Sequence, residues 1–243
     1  MRPKPSPRLQ GRRAGSNVWL DFCLNVNLWR LLQWAILLWL VNLFIFAPMA
    51  LSAAQASGAQ HRLDIHNLPW LTALIWAPIV EEFTFRYVLR RPAMIWWFVP
   101  LMLAVLLQGP GFTQALLLCL AILLALAPLW FKDHKLAWLW RANTKLKYLS
   151  LRLYPLFFHL VGVLFAGVHL FNFKFASLPL VLLPLLVIPQ WVTGLVLGWL
   201  RVSRGIGSSI ILHAIFNGGP LLLIGLVLQL APELAVNGLL FIK

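Results

Sequence analysis

The sequence predicts an all-α fold, a polytopic transmembrane helix bundle of about seven spans (six to eight) with its amino terminus on the cytoplasmic side. Three observations predict it. Of 243 residues, 61% are hydrophobic and only 11% charged, and the mean hydropathy of +0.85 lies far outside the range of soluble domains. Apolar stretches of roughly 20 residues, the length that crosses a hydrocarbon core about 30 Å thick, recur along the chain. Basic residues fall between these stretches in an alternating pattern.

Residues 1–27 are polar and basic, and the apolar run after them is too long for a signal-peptide core, so they are expected to form a cytoplasmic tail. A first helix at about 28–50 leads into an external loop ending at residue 66. The remaining core, 67–230, opens with a second helix at about 67–89. Residues 92–131 are almost wholly apolar and broken by Gly109-Pro110-Gly111, which predicts a helical hairpin of two spans, 93–109 and 112–131. A basic loop precedes helices at about 153–173, 177–200 and 207–230, and residues 231–243 form a C-terminal tail. This topology puts 16 of the 20 Lys and Arg on the cytoplasmic side, among them Arg30, Arg90, Arg91, Arg152, Arg201 and Arg204.

The net charge of +14 therefore sets topology, and it favours contact with anionic lipids of a cell membrane, expected to be the plasma membrane. Nucleic acid is excluded as a partner, because no soluble segment interleaves base-stacking aromatics with the charges. Cys23 and Cys119 have neither C-x-x-C nor metal-type spacing and are expected to be packing residues. Tryptophans such as Trp29, Trp70, Trp96, Trp130 and Trp199 stand at expected span ends, where amphipathic rings favour the interface.

Of the six acids, Asp21, Asp64, Asp133 and Glu233 lie in expected loops or helix ends, where water solvates them. Glu81 and Glu82 instead follow an apolar run inside the second helix. An acid at mid-membrane costs about 2.5–3.5 kcal/mol on insertion scales, so two together call for partners or a task. Glu82 and Arg86 have the i,i+4 spacing of an intrahelical pair, carboxylate first. Glu81, roughly 100° further round the helix, is left to face another helix. His61, His66 and His134 belong to loops or helix edges, and His159 lies near the interface, whereas His169 and His213 are placed within apolar helices. Asn217 follows His213 at i+4, so one helix face presents an imidazole and an amide. A single cavity would let these groups satisfy one another, with Gly162, Gly167, Gly194 and Gly198 allowing close helix approach.

Three ordered motifs, Glu81-Glu82-Phe83-Thr84-Phe85-Arg86, Phe165 through His169, and His213 through Asn217, resemble those of the CPBP family. These are the type II CAAX prenyl endopeptidase and bacteriocin-processing (Abi) intramembrane proteases. Gly194 through Gly198 and Arg204 through Ser208 also look like the family's approach to its last motif. The likeness covers about residues 71–220 and departs from the family in the long interval between Arg86 and His169, which holds the extra hairpin.

The resemblance implies an intramembrane endopeptidase acting on a membrane-associated or lipidated protein or peptide. In it Glu81 activates water with His169, His213 and Asn217 assisting, and Glu82 with Arg86 forms a brace. His213 and Asn217 are expected to donate to the oxyanion. A metal-free, glutamic-type reaction is favoured; if zinc binds, Glu81, His169 and His213 are its expected ligands. The chain lacks H-E-x-x-H, an intramembrane aspartate and G-x-S-x-G, and Ser208 and Ser209 read as helix caps. The alternatives are an inactive binding or scaffold protein of the same fold, or a proton-coupled transporter, although no internal repeat supports the latter. Depth sets one difficulty: at 1.5 Å per residue, Glu81 lies about 14 Å from Arg90 but His169 about 26 Å from Arg152.

Overall fold

The computed structural model describes residues 21–24, 26–65, 67–126, 144–175 and 180–230. The expected tails to residue 20 and from residue 231, the loop carrying Asp133 and His134, and His66 lie outside the described residues. Seven helices occupy the described chain: α1 (Leu28–Ser57), α2 (residues 70–90), α3 (Ile95–Gln108), α4 (Phe112–Leu126), α5 (Thr144–Val168), α6 (Leu183–Arg204) and α7 (Ile206–Leu230). A 3₁₀ turn, His169–Asn172, prolongs α5. Among the described residues the one departure from an all-α fold is a two-residue ladder, in which β1 (Gln60–His61) pairs antiparallel with β2 (Phe173–Lys174).

Four of these stretches, α1, Arg152–Asn172, α6 and α7, are long and apolar enough to cross a membrane. The hairpin falls short of the expected two spans among the described residues: α3 has 14 residues and α4 has 15. At 1.5 Å per residue α3 covers roughly 21 Å, less than a core of about 30 Å. A 3₁₀ turn at Pro92–Met94 delays the start of α3, and Gly109, at φ 73°, ends it. α6 begins at Leu183 rather than 177, with a proline in its first turn.

α2 lies at the centre. Its Val80, Phe83 and Tyr87 pack against Phe98, Met102 and Val105 of α3 and against Ala121 and Ala125 of α4. Its Phe85 and Leu89 pack against Val161 and Phe165 of α5. Behind it, Leu31, Ala35 and Leu38 of α1 meet Leu197 and Leu200 of α6 and Leu212 of α7. Glycines permit the closest crossings: a Cβ on Gly194 would stand 2.8 Å from the Phe165 ring and one on Gly198 3.0 Å from Phe158. Gly167, expected to serve the same purpose, meets nothing within 4 Å. Cys119 is exposed on α4 rather than packed.

Prolines shape the helices that matter. π turns at Asn42–Phe46 and Thr72–Trp76 each end two residues before a proline, Pro48 and Pro78. A proline has no N–H and its ring crowds the preceding turn, so the backbone widens ahead of it. In the second turn the Ala77 N–H bonds Thr72, and the next donor in that register would be Pro78. The Ala73 carbonyl thus loses its helical donor and receives Asn217 Nδ2 instead, at 3.1 Å. Likewise Pro220 deprives the Phe216 carbonyl of its donor, and Trp39 Nε1 supplies one at 2.9 Å. Neighbouring helices re-satisfy carbonyls that the bilayer would leave bare.

The depth difficulty resolves in the packing. Phe157 and Phe158 lie against Phe85 and Leu89, so the end of α2 is level with Phe158 and α5 continues beyond it to Arg152 and further. Glu81 and His169 then stand at one height.

Asp21 departs most from expectation. It is 5% exposed, held by Arg201, Arg90 and Arg91, and Phe22 beside it packs on Phe83 and Tyr87. Water does not solvate this acid, because three guanidinium groups converge on it. Burial alone would raise its pKa, but Arg201 and then Arg90 more than offset that and hold the carboxyl below its ordinary 3.8.

Trp39→Phe should lower unfolding free energy by about 1–3 kcal/mol, because it leaves the Phe216 carbonyl buried without a donor. In a Pro220→Ala background, where residue 220 regains an N–H, the same change should cost measurably less. Equal costs in denaturant titrations of the two backgrounds would refute this account of the carbonyl. The Asp21 contribution follows the sign for a depressed acid: it is fully present above the unfolded pKa and disappears as pH falls through the lower folded one. The melting difference between the natural chain and Asp21→Asn should therefore stay constant from pH 8 to 5 and close only below about 3.8.

Candidate active site

The site is assembled on the third π turn, Glu82–Arg86, in the middle of the enclosed part of α2, where the Tyr87 N–H reaches back to the Glu82 carbonyl. π turns of this kind occur often at functional sites, because the widened turn re-aims the side chains on either side of it. The five residues of the turn are all buried.

Glu82 has no exposed surface, and both its oxygens are engaged. Oε1 accepts from Arg86 Nη1 and from His213 Nδ1, each at 2.9 Å, and Oε2 accepts from the Ser209 hydroxyl. The expected Glu82–Arg86 pair is therefore formed, and α7 adds two further donors to it. Arg86 is sandwiched in turn, with its guanidinium carbon 3.6 Å from the centre of the Phe165 ring, in the range of a close cation–π contact. Gly194 is what lets Phe165 and the guanidinium share this space, since a Cβ there would collide with the ring and stand 3.3 Å from Arg86 Nη2.

Glu81 is in the opposite condition. Its Oε2 is buried and accepts no hydrogen bond, and it faces His213 Nε2 at 3.7 Å and His169 Nε2 at 3.9 Å. The far nitrogens of both rings fix what these atoms present. His169 Nδ1 stands 2.8 Å from the Phe165 carbonyl, and His213 Nδ1 faces the Glu82 carboxylate. Both partners only accept, so each Nδ1 carries a hydrogen, and each ring turns its Nε2 towards Glu81. The Glu81 oxygen and the two ring nitrogens thus converge on one point. A species that donates hydrogens or accepts lone pairs fits between them.

The structure brings together Glu81, Glu82, Arg86, His169 and His213 from α2, α5 and α7. Asn217, one turn along α7 from His213, donates one of its two amide hydrogens to the Ala73 carbonyl. Ser209, expected to cap α7, is instead a fully buried ligand of Glu82. Its spacing was the available signal, because it precedes His213 by four residues and shares its face. Arg201, counted among the topological charges, is fully buried and donates to the carbonyls of Arg86 and Tyr87 at 3.1 Å each. Nothing in the sequence separates it from its exposed neighbours.

Over residues 65–219 the sequence matches the family described as Type II CAAX prenyl endopeptidase Rce1-like. No curated protein and no solved structure matches the chain.

The two glutamates should respond oppositely to loss of charge. Glu82→Gln leaves Arg86 buried without a counter-ion and should destabilise the fold by about 3–5 kcal/mol. Glu81→Gln removes an unpartnered buried acceptor and should leave stability unchanged or raised. Thermal unfolding of both variants in detergent decides this, and equal losses would contradict it.

Proposed function

We propose, given that the chain belongs to the Rce1-like family of type II CAAX prenyl endopeptidases, that it hydrolyses peptide bonds of a membrane-associated or lipidated protein with Glu81 as general base. The observation that carries this reading is the convergence of Glu81 Oε2 with the two Nε2 atoms at 3.7 and 3.9 Å. A water about 2.8 Å from Glu81 Oε2 can bridge to an Nε2 across either gap. It gives one hydrogen to Glu81 and the other to an imidazole, and its own lone pair is left to attack.

In the reaction, water oxygen adds to the scissile carbonyl carbon while its proton passes to Glu81. The carbonyl oxygen becomes an oxyanion. Glu81 then returns the proton to the leaving nitrogen, the C–N bond breaks, and a carboxylic acid and an amine result, the acid's proton passing to the amine to give carboxylate and ammonium. Glu82 and Arg86 hold α2 and the His213 ring in register, and Ser209 secures the second oxygen of Glu82. His213 can donate to the oxyanion only from Nε2 and only while its ring carries a second proton, a charge that Glu82 is placed to stabilise. Asn217 is assigned a positioning role, holding the proline-freed turn of α2 against α7.

Glutamate and two imidazoles are also the donor types of a zinc site. Ligands at about 2.0–2.1 Å round a tetrahedral ion lie roughly 3.3 Å apart, closer than 3.7 and 3.9 Å. Among the described residues no group of three His, Cys, Asp or Glu is arranged to hold a metal ion. The spacing suits a shared water better than a shared ion. For the substrate, an apolar crevice of about 260 Å³ between α3 and α5 runs past Phe85 and Val168, next to His169, and has the character needed for a lipid chain.

The test is cleavage of fluorogenic CAAX-type peptides by the purified, reconstituted chain. Glu81→Gln should lower kcat about 10²–10⁴-fold, the usual contribution of a general base, with KM little changed. Chelator should leave the natural chain's rate as it was. A chelator-sensitive rate moves the chemistry to a metal, and equal rates in variant and natural chain remove Glu81 from the reaction.

A further inference from the structure

The mechanism above leaves unused the most heavily charged buried cluster outside the site, and that cluster touches the catalytic helix directly. Arg201 of α6 engages three acceptors at once. Nη1 binds the Asp21 carboxylate, Nε donates to the Arg86 carbonyl at 3.1 Å, and Nη2 donates to the Tyr87 carbonyl at 3.1 Å. The two carbonyls lie at the end of α2, and that of Tyr87 loses its helical donor because the Arg91 N–H bonds Val88 as the chain leaves the helix. A guanidinium at a helix C-terminus also faces the negative end of its dipole. Arg86 therefore has its side chain fixed by Glu82 and its carbonyl fixed by Arg201.

Asp21 is what holds Arg201 in this position. It lies outside the membrane-spanning helices, yet it is buried, and its Oδ1 also accepts from Arg90 Nη1 at 2.7 Å. Arg90 in turn donates from Nε and Nη2 to the Val202 carbonyl, at 3.1 and 2.9 Å, and so ties the end of α2 to the end of α6. Arg91 Nε lies 3.7 Å from Asp21 Oδ2. Remove the carboxylate, and three guanidinium groups face one another without a counter-charge. The segment is seated by backbone as well: a Cβ on Gly205, at φ 109°, would stand 2.7 Å from the Asp21 carbonyl oxygen, and one on Gly207 would stand 2.3 Å from that of Phe22. Only glycine allows this approach, and at Gly205 only glycine suits the φ.

We infer that Asp21 and Arg201 are positioning residues for the reaction, setting the register of the Glu82–Arg86 turn through the carbonyls of Arg86 and Tyr87. The segment ahead of α1 thereby belongs to the catalytic machinery, although it lies outside the matched residues 65–219. The inference rests on the protease reading, and it identifies a part of the site that the family motifs do not contain.

The experiment uses full-length chain in proteoliposomes with the same peptide. Asp21→Asn, which keeps shape and removes charge, should lower kcat about tenfold with KM within twofold. Asp21→Glu should recover part of that loss. Arg201→Lys, which keeps charge but cannot reach three acceptors, should lower kcat at least as far. The double variant should be no slower than Arg201→Lys, because Asp21 acts only through Arg201. A natural kcat in Asp21→Asn, or losses that multiply in the double variant, would overturn the inference, as would a loss fully accounted for by unfolded protein. Amide exchange at residues 82–91 gives a readout independent of catalysis: it should quicken in Asp21→Asn while α5 and α7 keep their protection. Unchanged exchange there refutes the coupling even if the natural chain cleaves no peptide, an outcome that would refute the protease reading separately.

Discussion

A carboxylate with no exposed surface, set in the middle of an apolar bundle, is the constraint round which this structure is organised. Glu82 survives there because both its oxygens are met by donors, from Arg86, His213 and Ser209. Each of those donors recruits its own support. Arg86 needs the Phe165 ring, the Phe165 ring needs Gly194, and His213 and Ser209 need α7 to lie along α2 at a fixed rotation. Removal of any one donor leaves the charge of another uncompensated, so the network is satisfied as a whole or not at all. The adjacent Glu81 inherits this rigidity without sharing in it. Its helix is held by Glu82, and its own oxygen is left for the two imidazoles.

The bilayer enforces the same accounting on the backbone. Prolines at 78 and 220 bend the helices that build the site, and each leaves a carbonyl without a helical donor. The substitutes come from other helices: Asn217 from α7 bonds α2, and Trp39 from α1 bonds α7. A defect in one helix thereby becomes a specific contact between two. Arg201 extends the pattern to the helix terminus, where the Tyr87 carbonyl loses its helical donor and the guanidinium supplies one to it and to the Arg86 carbonyl.

How much of this was legible in the sequence depends on whether a residue's partner lay on its own helix. The i,i+4 pair of Glu82 and Arg86 and the isolation of Glu81 follow from helix geometry and from the cost of intramembrane charge, and the structure has both. The convergence of His169 and His213 on Glu81 was legible as economy, since polar groups in lipid must meet one another. Asp21 and Arg201 were not legible, because a lone acid near a basic stretch and an arginine at a span end look alike whether solvated or buried. The role of Asn217 depends on a proline in another helix, a relation that no local pattern carries. The turn between α3 and α4 was legible in Gly109-Pro110-Gly111, whereas the late start of α3, after a 3₁₀ turn at Pro92–Met94, was not. The two-residue ladder of β1 and β2 is too short for any alternation to announce it.

Two adjacent glutamates with opposite environments amount to a division of labour that either alone could not perform. A carboxylate able to take a proton from water must not be saturated with donors, for each hydrogen bond to the charged form weakens it as a base. Held in place only by packing, however, an unsatisfied acid in a low-dielectric interior would turn away or draw the helix apart. Glu82 resolves the conflict by absorbing the donors, Arg86 above all, and by locking the turn on which Glu81 stands. It also fixes a hydrogen on His213 Nδ1, which turns Nε2 towards Glu81. The saturated carboxylate thus arranges the environment of the unsaturated one through the ring they share. Adjacency in sequence is what makes this work, because successive residues on one helix point to different helices while moving as a single rigid body.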